Sequence, residues 1–278
     1  MWTIPILATL SIAAAAGAEP AAPPGGSTVA QAKTPIQADL AALAQGRVLF
    51  SHHSVGRNVM EGMKRVAAEA GAPAPRWVTL EQSAAPGPAL IDVSGGRNGE
   101  PVTKIEFFEA TMRALPGPKP DLALMKFCYV DFEPRTDVEA LFTRYRQAME
   151  GLRREFPGVR FAHVTVPLKS RPAGIKETVK RMLGQEVWED AANARRFEFN
   201  QRLRAAFAAD PIFDLAAVES TSADGKPVTF ELGGKSYPSM DPAWTDDGGH
   251  LNAAGQKRAG DAAVRFLASA LPARGATN

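Results

Sequence analysis

Apolar and polar positions along this chain follow two rhythms, short apolar runs and longer stretches with a helical repeat, and the two alternate. Val48, Leu49 and Phe50 form a run rich in strand formers, followed by polar residues and Gly56. A helical pattern opens near Asn58, with Val59, Met60, Met63, Val66 and Ala67 on one face and Gly71 ending it. The same reading predicts helices over 36–44, 105–115, 138–156, 191–208 and 253–271. It predicts strands over 77–80, 122–128, 161–166 and 212–215, the middle two fully buried. Residues 83–101 hold Pro86, Gly87, Pro88, Gly95, Gly96, Gly99 and Pro101 and read as one long loop. Repeated β-α-β units imply a mostly parallel sheet covered on both faces, a three-layer α/β/α sandwich.

The N-terminus changes this picture. Residues 1–18 carry no charged side chain, and Ile4 to Ala16 is an apolar run too short to span a bilayer. Ending in Ala16-Gly17-Ala18, it reads as a secretory signal cut after Ala18, placing the mature chain in the periplasm or outside the cell. Residues 19–35, with Pro20, Pro23, Pro24, Gly25, Gly26 and Pro35, read as a disordered leader. The remainder, 36–274, is expected to be one domain.

Charge excludes more than it suggests. A net charge of +2 spread among acids on helical faces gives no nucleic-acid footprint, and no stable membrane insertion is expected after processing. Cys128 is the only cysteine, so no intramolecular disulfide can form, and its apolar surroundings point to a buried structural thiol.

The chemistry lies at the two ends. Ser54 sits in the turn between the first strand and its helix, where a helix N-terminus can offer its own amide to a developing oxyanion. Near the other end stands Asp247-Gly-Gly-His250, whose carboxylate can fold back onto the imidazole Nδ1–H and free Nε2 to take a proton from a serine. An early serine with a late Asp-x-x-His resembles the SGNH (GDSL-type) hydrolase superfamily. There His52-His53-Ser54 stands where Gly-Asp-Ser usually stands. The resemblance implies a flavodoxin-like sheet, Ser54 as nucleophile, His250 and Asp247 as its triad partners, and no cofactor. It also implies a second-block glycine in the oxyanion hole, drawn from Ser94-Gly95-Gly96-Arg97-Asn98-Gly99; Gly96 is one candidate, and the sequence does not decide among these glycines.

Two blocks depart from the family pattern. The third, normally Gly-x-Asn-Asp, is here Cys128-Tyr129-Val130-Asp131, and Val130 cannot give the asparagine's hydrogen bond. Losing one oxyanion donor costs ~10²–10³ in turnover unless another group replaces it. Asn98 is the first candidate replacement and Asn58 the second. His53, in place of the first-block aspartate, either contacts substrate or braces the turn. A metal is not expected at His52, His53, His163, His250 and Asp247, because adjacent histidines diverge and no His-x-x-x-His spacing occurs. Lys126 interrupts a buried strand and needs a partner, for which Asp131 is nearest in sequence. Ser51 belongs to the strand rather than the turn, and Asp246 lacks the three-residue spacing of Asp247 to His250.

The expected activity is serine esterase, with a small-molecule or carbohydrate O-acetyl ester as substrate. Two alternatives stay open: a polysaccharide O-acetyltransferase on the same triad, and a non-catalytic binding protein on the same scaffold. Oligomeric state is not legible.

Overall fold

A computed structural model describes Met1 and residues 35–273. The segments read as signal (1–18) and leader (19–35) therefore fall outside the described residues, apart from Met1 and Pro35.

In chain order the elements are α1 (Ile36–Leu43), β1 (Arg47–Ser51), α2 (Val55–Ala70), β2 (Trp77–Val78), β3 (Ala89–Val93), α3 (Pro101–Ala114), β4 (Leu122–Met125) and α4 (Val138–Glu155). They continue with β5 (Arg160–Val164), α5 (Ile175–Met182), α6 (Trp188–Ala206), β6 (Ile212–Phe213), α7 (Leu215–Glu219), β7 (Thr229–Leu232), β8 (Lys235–Pro238) and α8 (Ala253–Ala270). Six strands form one sheet in the order β2-β3-β1-β4-β5-β6, with every pairing parallel, and β7 and β8 make a separate antiparallel hairpin. Apart from the two-residue edge strand β2, the order is the flavodoxin-like one.

The period-2 alternation of the strands builds two cores. Val48, Phe50, Leu90, Leu122, Leu124 and Val164 face one way and pack with Met60 and Met63 of α2 and Val264 of α8. Leu49, Ile91, Ala123, Met125 and Phe161 face the other way and pack with Phe108 of α3, Met149 of α4 and Phe199 of α6. A sheet buried on both faces explains why its strands read as continuous apolar runs rather than alternating ones.

One strand was hidden. The loop expected over 83–101 contains β3, which pairs with β1 along its whole length, Arg47 opposite Ala89 through Ser51 opposite Val93. Its Ala-Leu-Ile-Asp-Val run is only five residues long, and the Gly and Pro residues on either side outweigh it in any local window. The structure also starts α2 at Val55, three residues before Asn58, and ends β4 at Met125 rather than Cys128. Helix α5, helix α7 and the β7–β8 hairpin are not among the expected elements, although Ile175, Val179 and Met182 of α5 do recur with helical spacing.

Helices α2 and α8 cross at Gly62 and Gly260. A Cβ on Gly260 would lie 2.2 Å from the Gly62 carbonyl carbon and 2.5 Å from Met63 N, and one on Gly62 would lie 1.9 Å from Gln256 O. These neighbours are backbone, so they cannot swing aside. The close crossing matters because Ser54 immediately precedes α2 and His250 shortly precedes α8. Gly260→Ala is therefore expected to destabilise the protein by ~1–3 kcal/mol and to lower activity by parting the two loops. Gly151, inside α4 with open space around its would-be Cβ, is the control: Gly151→Ala should raise the unfolding midpoint slightly, by ~0.5–1 kcal/mol. Thermal unfolding and ester turnover of both variants check this. No helix among the described residues is long and apolar enough to cross a membrane.

Candidate active site

Ser54 follows β1 at the carboxyl edge of the sheet, where the chain runs outward to β3 on one side and to β4 on the other. This is the switch point at which open α/β sheets form a ligand crevice. Ser54 occupies the N-cap position of α2 at φ 49° and is the one non-glycine residue with positive φ among the described residues. A serine there ordinarily bonds its hydroxyl to the first helical amides. This one does not cap α2; its Oγ instead lies 2.5 Å from His250 Nε2. Such a conformation costs ~1–3 kcal/mol and persists only where the surroundings enforce it.

His250 is held on its other side. Its Nδ1 lies 2.6 Å from Asp247 Oδ2, while Asp247 Oδ1 accepts from the amides of Gly249 at 2.9 Å and His250 at 2.7 Å. These bonds hold the Asp247 carboxyl far below the usual carboxylate range, the His250 side chain contributing most. With a carboxylate as acceptor, Nδ1 must carry the proton, which leaves the Nε2 lone pair for Ser54. Gly248 at φ 83° makes the turn possible. Asn252 caps α8 through Gly255 N, and Ser170 N donates to Gly248 O. The structure thus brings together Ser54, His250 and Asp247, whose first and last members lie 193 residues apart. His250 and Asp247 are 47% and 57% exposed, so the site is open to solvent.

The other sequence candidates fall elsewhere. Asn58 Oδ1 accepts from Leu251 N at 3.1 Å, a strut from α2 to the histidine loop. Asn98 places its carbonyl oxygen 2.8 Å from Lys104 Nζ, and no hydrogen bond links it to Ser54, His250 or Asp247 among the described residues. The draw is electrostatic: Lys104 and Asp131 form a buried ion pair, and Asp131 also accepts from Cys128 N and Gly99 N. The pairing of Lys126 with Asp131 expected from the sequence does not form, because Asp131 is taken by Lys104. Lys126 is buried at the end of β4, gives its Nζ to Phe127 O at 2.9 Å, and has its pKa lowered by burial. Glu219, buried close by, is pushed up to about 8 by burial.

His53, considered as a substrate contact, is a brace. Its Nε2 donates to Gly95 O at 2.6 Å, and its Nδ1 accepts from Ser94 Oγ at 3.1 Å. Both ring nitrogens are spent on tying the loop after β3 to the nucleophile turn. Gly96 lies on that same loop at φ 79°, where a Cβ would come within 2.8 Å of the Lys104 backbone. Buried Cys128 adds a thiol contact to His53 O at 3.6 Å. His52 packs on Phe50 with Nε2 3.0 Å from Asp92, and burial lowers its pKa. His163 is stacked on Phe207 and bonded to Tyr145. Among the described residues no cluster of three or more His, Cys, Asp or Glu side chains is placed to hold a metal.

The sequence reading missed Tyr129. Its hydroxyl is 3.5 Å from His250 Nε2 and its ring meets the imidazole edge to face at 5.8 Å between centroids. Gly249 makes room for it, since a Cβ there would lie 2.8 Å from the phenol oxygen.

With the geometry in place, solved structures can be compared. A protein from Bacteroides fragilis, provisionally designated an acylhydrolase, is similar over 82% of this chain and 88% of its own, with 14% identity and a TM-score of 0.51. This chain shares that structure's α/β/α architecture around a parallel sheet. A lipase/acylhydrolase from Enterococcus faecalis is similar over 83% of this chain and 100% of its own at 16% identity and a TM-score of 0.45. The periplasmic domain of a lipopolysaccharide acetyltransferase from Salmonella ser. Paratyphi A is similar over 85% and 87% at 10% identity and a TM-score of 0.38. No protein-family model matches the sequence, and no curated protein matches it. Identities this low carry the architecture alone. One architecture hosts many chemistries, and what a site can do depends on its own atoms.

Proposed function

We propose that this protein is a serine esterase acting on a small-molecule or carbohydrate acyl ester. The observation that carries the reading is the unbroken relay from Ser54 Oγ through His250 Nε2 and Nδ1 to Asp247 Oδ2, with links of 2.5 and 2.6 Å. Ser54 Oγ attacks the ester carbonyl carbon as its proton passes to Nε2, and the carbonyl oxygen becomes an oxyanion. The Ser54 amide at the N-terminus of α2 and the Gly96 amide are the donors assigned to it. Lys104 Nζ binds only the carbonyl oxygen of Asn98, which leaves its Nδ2–H donors unspent, so Asn98 remains the third candidate donor. Nε2–H then protonates the departing alcohol, the acyl group stays on Ser54, and water activated by the same imidazole releases it. None of these steps calls for a cofactor.

Two features bear on substrate class. The exposure of His250 and Asp247 suits an ester presented on a bulky molecule. A cleft of about 330 Å³ lined by Trp77, Val78, Thr79, Gln82, Asp92 and Ser94 lies beside the nucleophile turn, joined to it through the Ser94–His53 bond. An indole among hydroxyl, amide and carboxylate groups suits a polyhydroxylated body more than a long acyl chain. The reading includes export, with cleavage after Ala18 and a catalytic domain over 36–274.

The test is turnover of a short-chain aryl acetate and of acetylated sugars, with and without an unacetylated sugar as acceptor. Release of acetate and alcohol is expected. Acetyl appearing on the acceptor in preference to water would replace hydrolysis by transfer. No turnover of any ester would leave a binding protein on this fold.

A further inference from the structure

The third-block asparagine is missing, and the residue beside its position occupies the site instead. Tyr129 opens the short turn Tyr129–Asp131 after β4 and is fastened at both ends. Its carbonyl accepts from Arg196 Nε at 3.0 Å, and Asp131 caps the turn through Cys128 N at 2.7 Å. Its side chain is buried, flanked by the Lys169 ammonium 5.5 Å and the Arg196 guanidinium 5.9 Å from the ring, and its hydroxyl reaches 3.5 Å from His250 Nε2.

That position has a chemical meaning. In a serine hydrolase the oxyanion forms away from the imidazole, whereas the departing alcohol oxygen must come within hydrogen-bond distance of Nε2 to collect its proton. A hydroxyl 3.5 Å from Nε2 is therefore on the leaving-group side. Resting on the esterase reading, we infer that Tyr129 is a catalytic residue whose hydroxyl donates a hydrogen bond to the oxygen of the departing alcohol. As the tetrahedral intermediate collapses, the bond from carbon to the alcohol oxygen breaks and its electron pair stays on oxygen. The proton comes from Nε2, and Tyr129 keeps its own. Burial and the Asp247 charge raise the phenol's pKa, which keeps the donor protonated. The contact also explains Gly249, since any side chain there would displace the phenol.

The help is largest for alcohols that leave poorly, because their oxygen carries most charge. Tyr129→Phe keeps the ring and removes only the donor. The experiment measures kcat/KM, which covers the steps through acylation, for acetates graded from nitrophenyl to alkyl. Tyr129→Phe should lose ~10–100-fold on alkyl acetates and stay within about threefold of wild type on nitrophenyl acetate. Fluorotyrosine at 129, a stronger donor with the same ring, should shift the dependence the other way and needs no change in packing. A loss equal across the series, or none, would overturn the assignment, since an oxyanion-hole or purely structural role treats all leaving groups alike. A wild type inactive on every ester would overturn the esterase reading and this inference together. Activity in wild type with a flat response to the variants overturns only the latter.

Discussion

Ser54→Ala is expected to lower aryl-acetate turnover by about 10⁵–10⁶-fold while the protein stays folded. The hydroxyl does not cap α2, so its removal costs the helix nothing, and its partner His250 is exposed enough to bind water instead. What disappears is the nucleophile. Ser54→Gly separates catalysis from stability at the same atom. Glycine adopts φ 49° without the clash that a Cβ brings, so this variant should be as inactive as the alanine one yet unfold at a higher temperature, by ~1 kcal/mol at the midpoint. Circular dichroism melts beside turnover assays check both. A serine that merely closed a turn would show the gain in stability without the loss of activity.

Asp247→Asn is expected to cost about 10³–10⁴-fold in kcat, with little change in KM. Asparagine can still accept the Gly249 and His250 amides through its carbonyl oxygen, so the turn survives. The amide group, however, presents donors to His250 Nδ1. The ring then holds its proton on Nε2, the wrong nitrogen for taking one from Ser54, and the imidazolium formed during attack has no counter-charge. The sign of the pH dependence also follows. Asp247 titrates far below the usual carboxylate range in the folded protein and near 3.8 in the unfolded chain. Its contribution to stability is thus complete above the ordinary carboxylate range and is lost only as the pH falls well below it. Asp247 stays charged through any mildly acidic loss of activity in the wild type and is not its cause.

The two halves of the proposed triad are legible in the sequence because each is local. A serine after an apolar run and a carboxylate three residues before a histidine each carry their geometry in their own spacing. The rest of the site depends on long-range approach. Tyr129 reaches His250 only because β4 lies beside β1 and because Gly249 lacks a side chain. Nothing around Asn98 announced Lys104, six residues on, folding back to pair with Asp131 and to bind the Asn98 carbonyl oxygen on the way. Gly62 and Gly260 did leave a signal, glycines inside otherwise helical patterns, which reads as a flaw in each helix until the crossing of α2 and α8 is seen. At the level of fold, long apolar segments such as β5 and α4 were placed within a residue or two. The short β3, which stands between the edge strand β2 and β1, was submerged by its flanking glycines and prolines.

The most direct measurement of the central claim is the intact mass of the protein after reaction with a fluorophosphonate, followed by peptide mapping. One adduct on Ser54, absent from Ser54→Ala, is the result this account predicts. No adduct, or one on a neighbouring serine such as Ser51 or Ser94, would contradict it.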